Sequence, residues 1–340
     1  MVIAAGDFAA KIKNIDDLFK GDPSSYRILM TDRIRKNLLD YQRVFKPEEI
    51  EFSLWLANHL ELVHDIKYIC AWIPVHLKTS DVSRFLADGG ISNTTIYGYY
   101  YTEAFRKDSG YSTADEILLQ SGLTKMDYWK KIVPVAEEKI KERLLSEVHK
   151  EGIDVKDYKR IAFMDGQGAP ARYYQVRPGY PLDKRVRYYL TLNPLSLPDV
   201  AEAVFGILLE LTRRNQRCYH FKFWPNYRKD SLVIYGDLSI LPYIRQLPDG
   251  LFLQDIIPFT QRIANGRGYG ENKGREINEK VLNKALDEAS NGAVFCKLIS
   301  EVYNTFVRKY KRFPSGNLDY FIVAVGSLYP LFRNKINVHH

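Results

Sequence analysis

The chain has 340 residues, 46% hydrophobic and 26% charged, a balance that excludes extended disorder and allows one large globular domain or two medium ones. No apolar stretch reaches the about 18–20 residues of a transmembrane helix, so no membrane span is predicted. The formal net charge of +8 favours acidic partners, among them phosphate groups, acidic peptides and nucleic acid.

The spacing of the cysteines indicates whether disulfides or a metal site are present, and the first residues of the chain indicate the cellular compartment. Cys70, Cys218 and Cys296 are widely spaced and form no CxxC or Cys/His cluster, so neither a disulfide framework nor a metal site is predicted. No cofactor motif is found, and the protein is expected to work without a cofactor. The start of the chain lacks the pattern of a signal peptide. We therefore expect a cytoplasmic protein, with an effector exported by a non-signal-peptide route as the alternative.

Residues 1–150 carry mostly helical patterns. Helices are expected over 16–19, 31–44, 46–57, 77–86, 112–120 and 126–150. In the last of these, alternating charges indicate a face in contact with solvent. The tyrosine-rich segment 89–105 is assigned to packing against the second half of the chain, with a role in lining a substrate groove as the alternative.

After residue 152 the patterns become those of strands. Strands are expected over 160–164, 172–177, 187–193, 217–224 and 231–235, and helices over 199–214, 276–290 and 294–310. The segment GRGYGENKG is a predicted glycine-rich loop before a helix, and FIVAVGSLY is an apolar segment near the end. The expected fold is α+β, with a helical region over 1–150 and, over 151–340, a mixed, largely antiparallel β-sheet with flanking helices.

One predicted strand, YHFKFW, carries the strongest signal for chemistry. Alternation places His220, Lys222 and Trp224 on one face of this strand. A lysine among aromatic side chains is partly desolvated, which makes it a usable general base, and a histidine beside it can donate a proton to a leaving group. The alternative is an exposed strand face with a salt-bridged lysine.

Basic residues near this strand are candidates for phosphate binding, because arginine binds phosphate through two parallel hydrogen bonds and lysine acts as a point charge. Arg172 and Arg187 each precede a Tyr-Tyr pair, and if their strands pair they line a groove together; cross-strand packing is the alternative. The phosphate-binding candidates are Arg172, Arg187, Arg228, Lys229, Arg267 and Arg275. The substrate-lining candidates are Tyr174, Tyr189, Trp224 and Tyr227. For Arg228 and Lys229, a solvated turn is the alternative.

Several catalytic classes are excluded by absent motifs: GxSxG of the serine hydrolases, HExxH of the zinc proteases and the protein-kinase signature set. The glycine-rich segment is neither GxxxxGK[ST] nor a dinucleotide fingerprint after a strand.

An ordered set of motifs over roughly residues 155–320 resembles the Hop-A type III effector family. The set consists of RYYLTLNPLSLPDVAEAVFGILLEL, FKFWPNYRKDSLVIYG and FTQRIANGRGYGENKG with the helix after it. The matching positions are Arg187, Tyr188 or Tyr189, Asn193, Lys222, Tyr227, Arg228 and Asp230. The resemblance implies a lyase-type domain related to the dehydrating lyases of class V lanthipeptide and thioamitide biosynthesis.

Those lyases resemble phosphothreonine lyases, which eliminate phosphate from phosphoserine or phosphothreonine and leave a dehydroamino acid. The resemblance implies Lys222 and His220 as catalytic residues, arginines as the phosphate site, and a companion kinase that phosphorylates the peptide or protein substrate. Phosphothreonine lyases carry K-x-H where this chain carries H-x-K, so the division of roles between His220 and Lys222 stays open. Two alternatives remain: a non-catalytic effector-like module that binds a phosphorylated or acidic partner, and, disfavoured by the absence of any known motif, a nucleic-acid binder.

Overall fold

A computed structural model of the chain describes residues 60–110, 113–151, 158–164, 170–177, 186–224, 228–253, 260–271 and 291–314. Several predictions fall outside these ranges: the helices over 16–19, 31–44, 46–57 and 276–290, the apolar segment FIVAVGSLY, and the site candidates Tyr227 and Arg275.

Ten α-helices lie within the described residues. They are α1 (Leu60–His76), α2 (Val82–Ala87), α3 (Asn93–Tyr100), α4 (Glu103–Asp108), α5 (Ala114–Gln120), α6 (Lys125–Asp127), α7 (Val133–Glu151), α8 (Leu197–Asn215), α9 (Leu241–Gln246) and α10 (Asn291–Tyr310). A π-helical turn, Tyr128–Ile132, joins α6 to α7. None of these helices combines the length and the apolar character needed to cross a membrane.

Seven strands form one sheet, in the order β1-β2-β4-β5-β3-β7-β6. They are β1 (Tyr158–Met164), β2 (Pro170–Val176), β3 (Val186–Leu190), β4 (Tyr219–Phe223), β5 (Leu232–Gly236), β6 (Gln261–Ala264) and β7 (Arg267–Glu271). Every neighbouring pair is antiparallel. The helices of the first half and this sheet confirm the predicted α+β fold class.

The sheet packs one face against α8, because α8 has a continuous apolar stripe. Val200, Val204, Leu208 and Leu211 follow one another at intervals of three or four residues and are buried. Pro198 at the start of α8 supplies a backbone angle suited to a first turn, and Gln216 ends the helix in a left-handed conformation (φ 49°). From the sheet, Tyr174, Tyr188, Phe221 and Ile234 belong to the same buried cluster as this stripe.

The described residues fall into two compact units, and the division differs from the predicted boundary near residue 150. One unit contains α1–α3 and α10, and the other contains α4–α9 and the sheet. The helix α7 belongs to the core of the sheet unit: Val133, Ala136, Ile140 and Leu144 lie in the same buried cluster as the strand side chains.

In the first unit, the tyrosine-rich segment is largely the helix α3. Tyr100 donates a hydrogen bond to Asp65 of α1, and its ring lies 5.2 Å from that of Phe295 in α10. Tyr99 stacks on Trp72 with ring centroids 4.0 Å apart. The contact of Tyr100 with Phe295 is the predicted packing against the second half of the chain, whereas the contacts with Asp65 and Trp72 lie within the first half.

The glycine-rich segment also differs from its prediction, because its first half is strand β7 rather than a loop. Gly266 makes the turn from β6 to β7 with φ +61°, and its carbonyl accepts a hydrogen bond from the Thr191 amide. A Cβ on Gly266 would overlap the carbonyl oxygen of Leu253 and lie 2.9 Å from that of Thr191. Only glycine fits this backbone and this space.

Gly266→Ala is therefore expected to lower the free energy of unfolding by about 3 kcal/mol or more, since it adds both a strained φ and a clash with backbone atoms. Gly250→Ala is the matched control: nothing lies within 4 Å of the added Cβ, and a change within about 0.5 kcal/mol is expected. Chemical denaturation measures both. Equal midpoints for the two variants would contradict the assignment.

Candidate functional site

The sheet face opposite α8 carries a group of basic and aromatic side chains that we call the basic face: Tyr173, Arg187, His220, Lys222 and Tyr235. The strand register explains how they meet. His220 lies opposite Tyr235 on β5, and Tyr235 lies opposite Arg187 on β3. Lys222 lies opposite Tyr173 on β2. Residues opposite one another in an antiparallel pair share a face of the sheet. The basic face is therefore formed by side chains from four strands, β2, β4, β5 and β3.

His220 is the most enclosed member of the basic face, with 1% of its surface exposed. Its Nδ1 is hydrogen-bonded to the hydroxyl of Tyr173. The Tyr235 ring is perpendicular to the imidazole, with centroids 4.4 Å apart and planes at 90°. The imidazole is thus held between two tyrosines from neighbouring strands.

Lys222 lies among aromatic rings, as the sequence predicted. Its Nζ is 4.8 Å from the centroid of Trp224 and 5.8 Å from that of Tyr235. Arg187, which is buried, places its Cζ 5.3 Å from the Tyr235 ring. These are cation–π distances. Tyr235 is therefore the common neighbour of the histidine, the lysine and the arginine.

The segment Arg228–Asp230, predicted as an anion trap or a solvated turn, is a buried turn. Arg228 Nε lies 3.1 Å from Asp230 Oδ1. Its Cζ is 4.2 Å from the Trp224 ring, so Trp224 contacts both Arg228 and Lys222. Lys229 is also buried and lies elsewhere, with Nζ 5.3 Å from the Phe105 ring of α4. Arg228 thus adjoins the basic face through Trp224, and Lys229 packs against a helix.

Arg172 and Tyr174 were predicted to line the same groove as Arg187 and Tyr189, and the structure corrects this. Arg172 lies opposite Phe223, on the α8 side of the sheet, and its Nε is 2.9 Å from Glu137 Oε1 of α7. Tyr174 stacks on Phe221 at 5.1 Å in the core.

The two Arg-Tyr-Tyr motifs are out of phase by one residue. In β3 the arginine and the second tyrosine, Tyr189, face the site side, whereas in β2 only the first tyrosine does. The two strands are not neighbours, because β4 and β5 lie between them. Tyr189 therefore stays on the side of Lys222, separated from it by Val233.

Arg267 is a second correction. It was predicted on a flexible loop near an anion, but it lies on β7 with 3% of its surface exposed. Its Nη1 donates to the carbonyl oxygens of Ile244 and Leu247 at the end of α9, and its Nη2 pairs with Asp249. Burial holds the pKa of this guanidinium below its ordinary value. Arg267 therefore satisfies the carbonyls of a helix end.

Sequence reasoning missed two members of the basic face, Tyr173 and Tyr235. Alternation along β2 does separate Tyr173 from Arg172 and Tyr174, and that pattern is a signal that could have placed it. No comparable signal exists for Tyr235, because its neighbours depend on which strands pair with β5. Among the described residues, no group of three or more His, Cys, Asp or Glu side chains is arranged to hold a metal ion.

No model of a known protein family and no curated protein matches this sequence.

Proposed function

We propose that the basic face binds a phosphorylated serine or threonine side chain of a peptide or protein and removes the phosphate by β-elimination. The observation that carries the proposal is the position of His220 and Lys222 at alternate residues of β4, with Arg187 in the same cross-strand row as His220. A base, a proton donor and a phosphate-binding cation thus share one sheet face. The order of motifs that resembles the Hop-A family supports the same function.

In the proposed reaction, the neutral amine of Lys222 takes the proton from the substrate Cα. The electron pair of that C–H bond forms the Cα=Cβ double bond, and the Cβ–O bond breaks with its pair on the phosphate oxygen. His220 supplies a proton to the departing phosphate, and Arg187 and Arg228 neutralise its charge. The products are inorganic phosphate and a dehydroalanine or dehydrobutyrine residue. Proton transfer by positioned groups contributes about 10²–10⁴-fold to such rates.

The surroundings of these groups suit the reaction. Tyr235 and Trp224 cover the lysine with aromatic surface, and His220, Arg187 and Arg228 are buried. Fixed charges in a site from which water is excluded stabilise developing charge far better than charges in water do. A companion kinase would supply the phosphorylated substrate, and the excess of basic residues over the chain would favour its approach.

The test uses synthetic phosphothreonine and phosphoserine peptides incubated with the whole protein. A lyase releases inorganic phosphate and leaves an alkene that adds a thiol, giving a defined mass increase. A phosphatase would leave a hydroxyl group that adds no thiol. Release of phosphate with a hydroxyl product would overturn the elimination. Tight binding of the phosphopeptide without any release would replace the lyase with a non-catalytic binding module.

The two arginines that the sequence treated alike should behave differently. Arg187→Lys keeps the charge but loses the two-pronged contact with phosphate, so we expect KM for the phosphopeptide to rise about tenfold. Arg172→Lys is the matched control, because Arg172 pairs with Glu137 on the other side of the sheet; its KM should change less than about twofold. Steady-state kinetics decide, and equal shifts in KM would remove Arg187 from the phosphate site.

A further inference from the structure

We propose that the surface formed by α5, α6 and the π-helical turn docks the protein on an anionic lipid membrane. Exposed apolar side chains would enter the headgroup layer, and lysines between them would meet the lipid phosphates. We call this surface the apolar corner, and it consists of Leu119, Lys125, Met126, Trp129, Lys130 and Leu195. It shares no residue with the basic face, so the proposal stands apart from the proposed reaction.

The apolar corner concentrates side chains that folded proteins usually cover. Seven large hydrophobic side chains are exposed among the described residues, and four of them lie here. Leu119 is 72% exposed and Met126 is 59% exposed. Their elements adjoin: α5 contacts α6 and the 3₁₀ turn Pro194–Ser196, which in turn contacts the π-helical turn. Single exposed apolar residues are ordinary, whereas a group of them on adjoining elements marks an interaction site.

These side chains are displayed by well-anchored elements. A capping box starts α5, and a second one, between Thr124 and Asp127, starts α6. Tyr128 and Ile132 fix the π-helical turn, because both are buried in the core of the sheet unit. The exposed residues are therefore held in place before any partner arrives, and docking costs little conformational entropy.

The exposed side of this segment is amphipathic in composition. Met126 and Lys130 lie four residues apart, and both are exposed. Trp129 flanks them, and its ring centroid is 6.0 Å from Cζ of Arg172, while more than a third of its surface stays open to solvent. Tryptophan combines a large apolar ring with one N–H donor, which suits the boundary between headgroups and acyl chains.

The charges of this segment favour an anionic surface. Three lysines, Lys125, Lys130 and Lys131, are exposed around a single carboxylate, Asp127. That carboxylate is already engaged, because its Oδ1 lies 2.7 Å from Nζ of Lys131. Within the part of the chain that the structure describes, Lys125 and Lys130 have no ion-pair partner. The acidic residues of α5 lie in its first turn, at the end of the helix away from Leu119.

The mixture of lysine with apolar side chains favours lipid over a protein partner. Tryptophan and methionine are enriched in protein–protein interfaces, but lysine is depleted there, because its ammonium group loses water on docking. At a membrane the same lysine keeps its ammonium group among the lipid phosphates, while its aliphatic stem lies beside the apolar residues. Lys125 and Lys130 thus contribute to lipid binding at the positions where they would oppose a protein interface.

The first experiment measures binding of the whole protein to vesicles by co-sedimentation. We expect binding to vesicles of phosphatidylcholine mixed with phosphatidylserine, and weaker binding to phosphatidylcholine alone. The double variant Met126→Ser/Trp129→Ser should lower the partition coefficient about tenfold or more, and Lys130→Glu about fivefold or more. Leu238→Ser and Lys309→Glu are the matched controls, because both residues are exposed outside the apolar corner; each should change binding less than about twofold.

The second experiment asks whether Trp129 enters the bilayer. Lipids brominated on their acyl chains should quench tryptophan fluorescence of the bound protein, and this quenching should be lost in Trp129→Phe, which still binds because phenylalanine is also apolar. Absence of vesicle binding, or binding that the double variant retains in full, would overturn the proposal. Binding without quenching would overturn the insertion of Trp129. A dimer in solution that Met126→Ser dissolves, with no vesicle binding, would replace the lipid surface with a second copy of the chain.

Discussion

Lys222→Arg is expected to abolish phosphate elimination, lowering kcat by about 10³-fold or more, while the protein still binds the phosphopeptide. Arginine keeps the positive charge but is always protonated in proteins, so it can hold phosphate and cannot take a proton from Cα. The substitution therefore separates the two tasks that a lysine in this position could perform. Lys222→Met removes both the base and the charge and should lose elimination and part of the binding.

Two measurements decide this prediction: single-turnover formation of the dehydroamino acid, and phosphopeptide affinity by calorimetry. Lys130→Arg is the matched control, since Lys130 is exposed on the π-helical turn before α7 and should give unaltered kinetics. Elimination that survives in Lys222→Arg would show that another group is the base, and His220 would then be the candidate, in line with the open order of H-x-K and K-x-H.

Phe221→Ala is expected to lower the free energy of unfolding by about 3–5 kcal/mol. Phe221 has 0% of its surface exposed, stacks on Tyr174 at 5.1 Å and lies 6.4 Å from Phe205 of α8. Its removal leaves a cavity in the layer between the sheet and α8, which neighbours on rigid elements cannot fill.

A substitution at Lys222, on the same strand, is the control for Phe221→Ala. Lys222, the next residue, points to the opposite face, and Lys222→Met keeps the aliphatic stem, so its stability should change by less than about 1 kcal/mol. Chemical denaturation followed by tryptophan fluorescence measures both variants. A Phe221→Ala variant as stable as the unaltered protein would contradict the placement of the core on the α8 side of the sheet.

Local patterns along the chain predicted much of the fold. The apolar stripe of α8, the alternating strands around it and the charged pattern of α7 are periodicities of one segment at a time, and each element formed close to its predicted place. The helices α1 and α3 were not predicted from their segments. For α3 the reason is its composition, which is largely tyrosine, threonine and glycine, residues with weak helical preference. In α3 the contacts with α1 and α10 outweigh that preference.

Predictions about the site also succeeded where they needed the pattern of one strand and failed where they needed the order of the strands in the sheet. The pairing of His220 with Lys222 on one face needed only the alternation within β4. The grouping of arginines depended on which strands are neighbours, and there Arg172 and Arg267 were misplaced, one in an ion pair with Glu137 and the other at the end of α9. Tyr235 was missed for the same reason, whereas alternation within β2 was a local signal for Tyr173 that was not used.

By itself, the sequence determined many of the elements and, within a predicted strand, the face on which each residue lies, because side-chain direction within a strand alternates with a period of two and needs no partner. Only the tertiary structure decided which faces meet. The strand order β2-β4-β5-β3 brings Tyr173, His220, Tyr235 and Arg187 to one surface, although these four residues lie on four strands separated by up to several tens of positions in the chain. Strand order depends on long-range hydrogen bonding and on burial against α8, quantities that no short window of sequence contains.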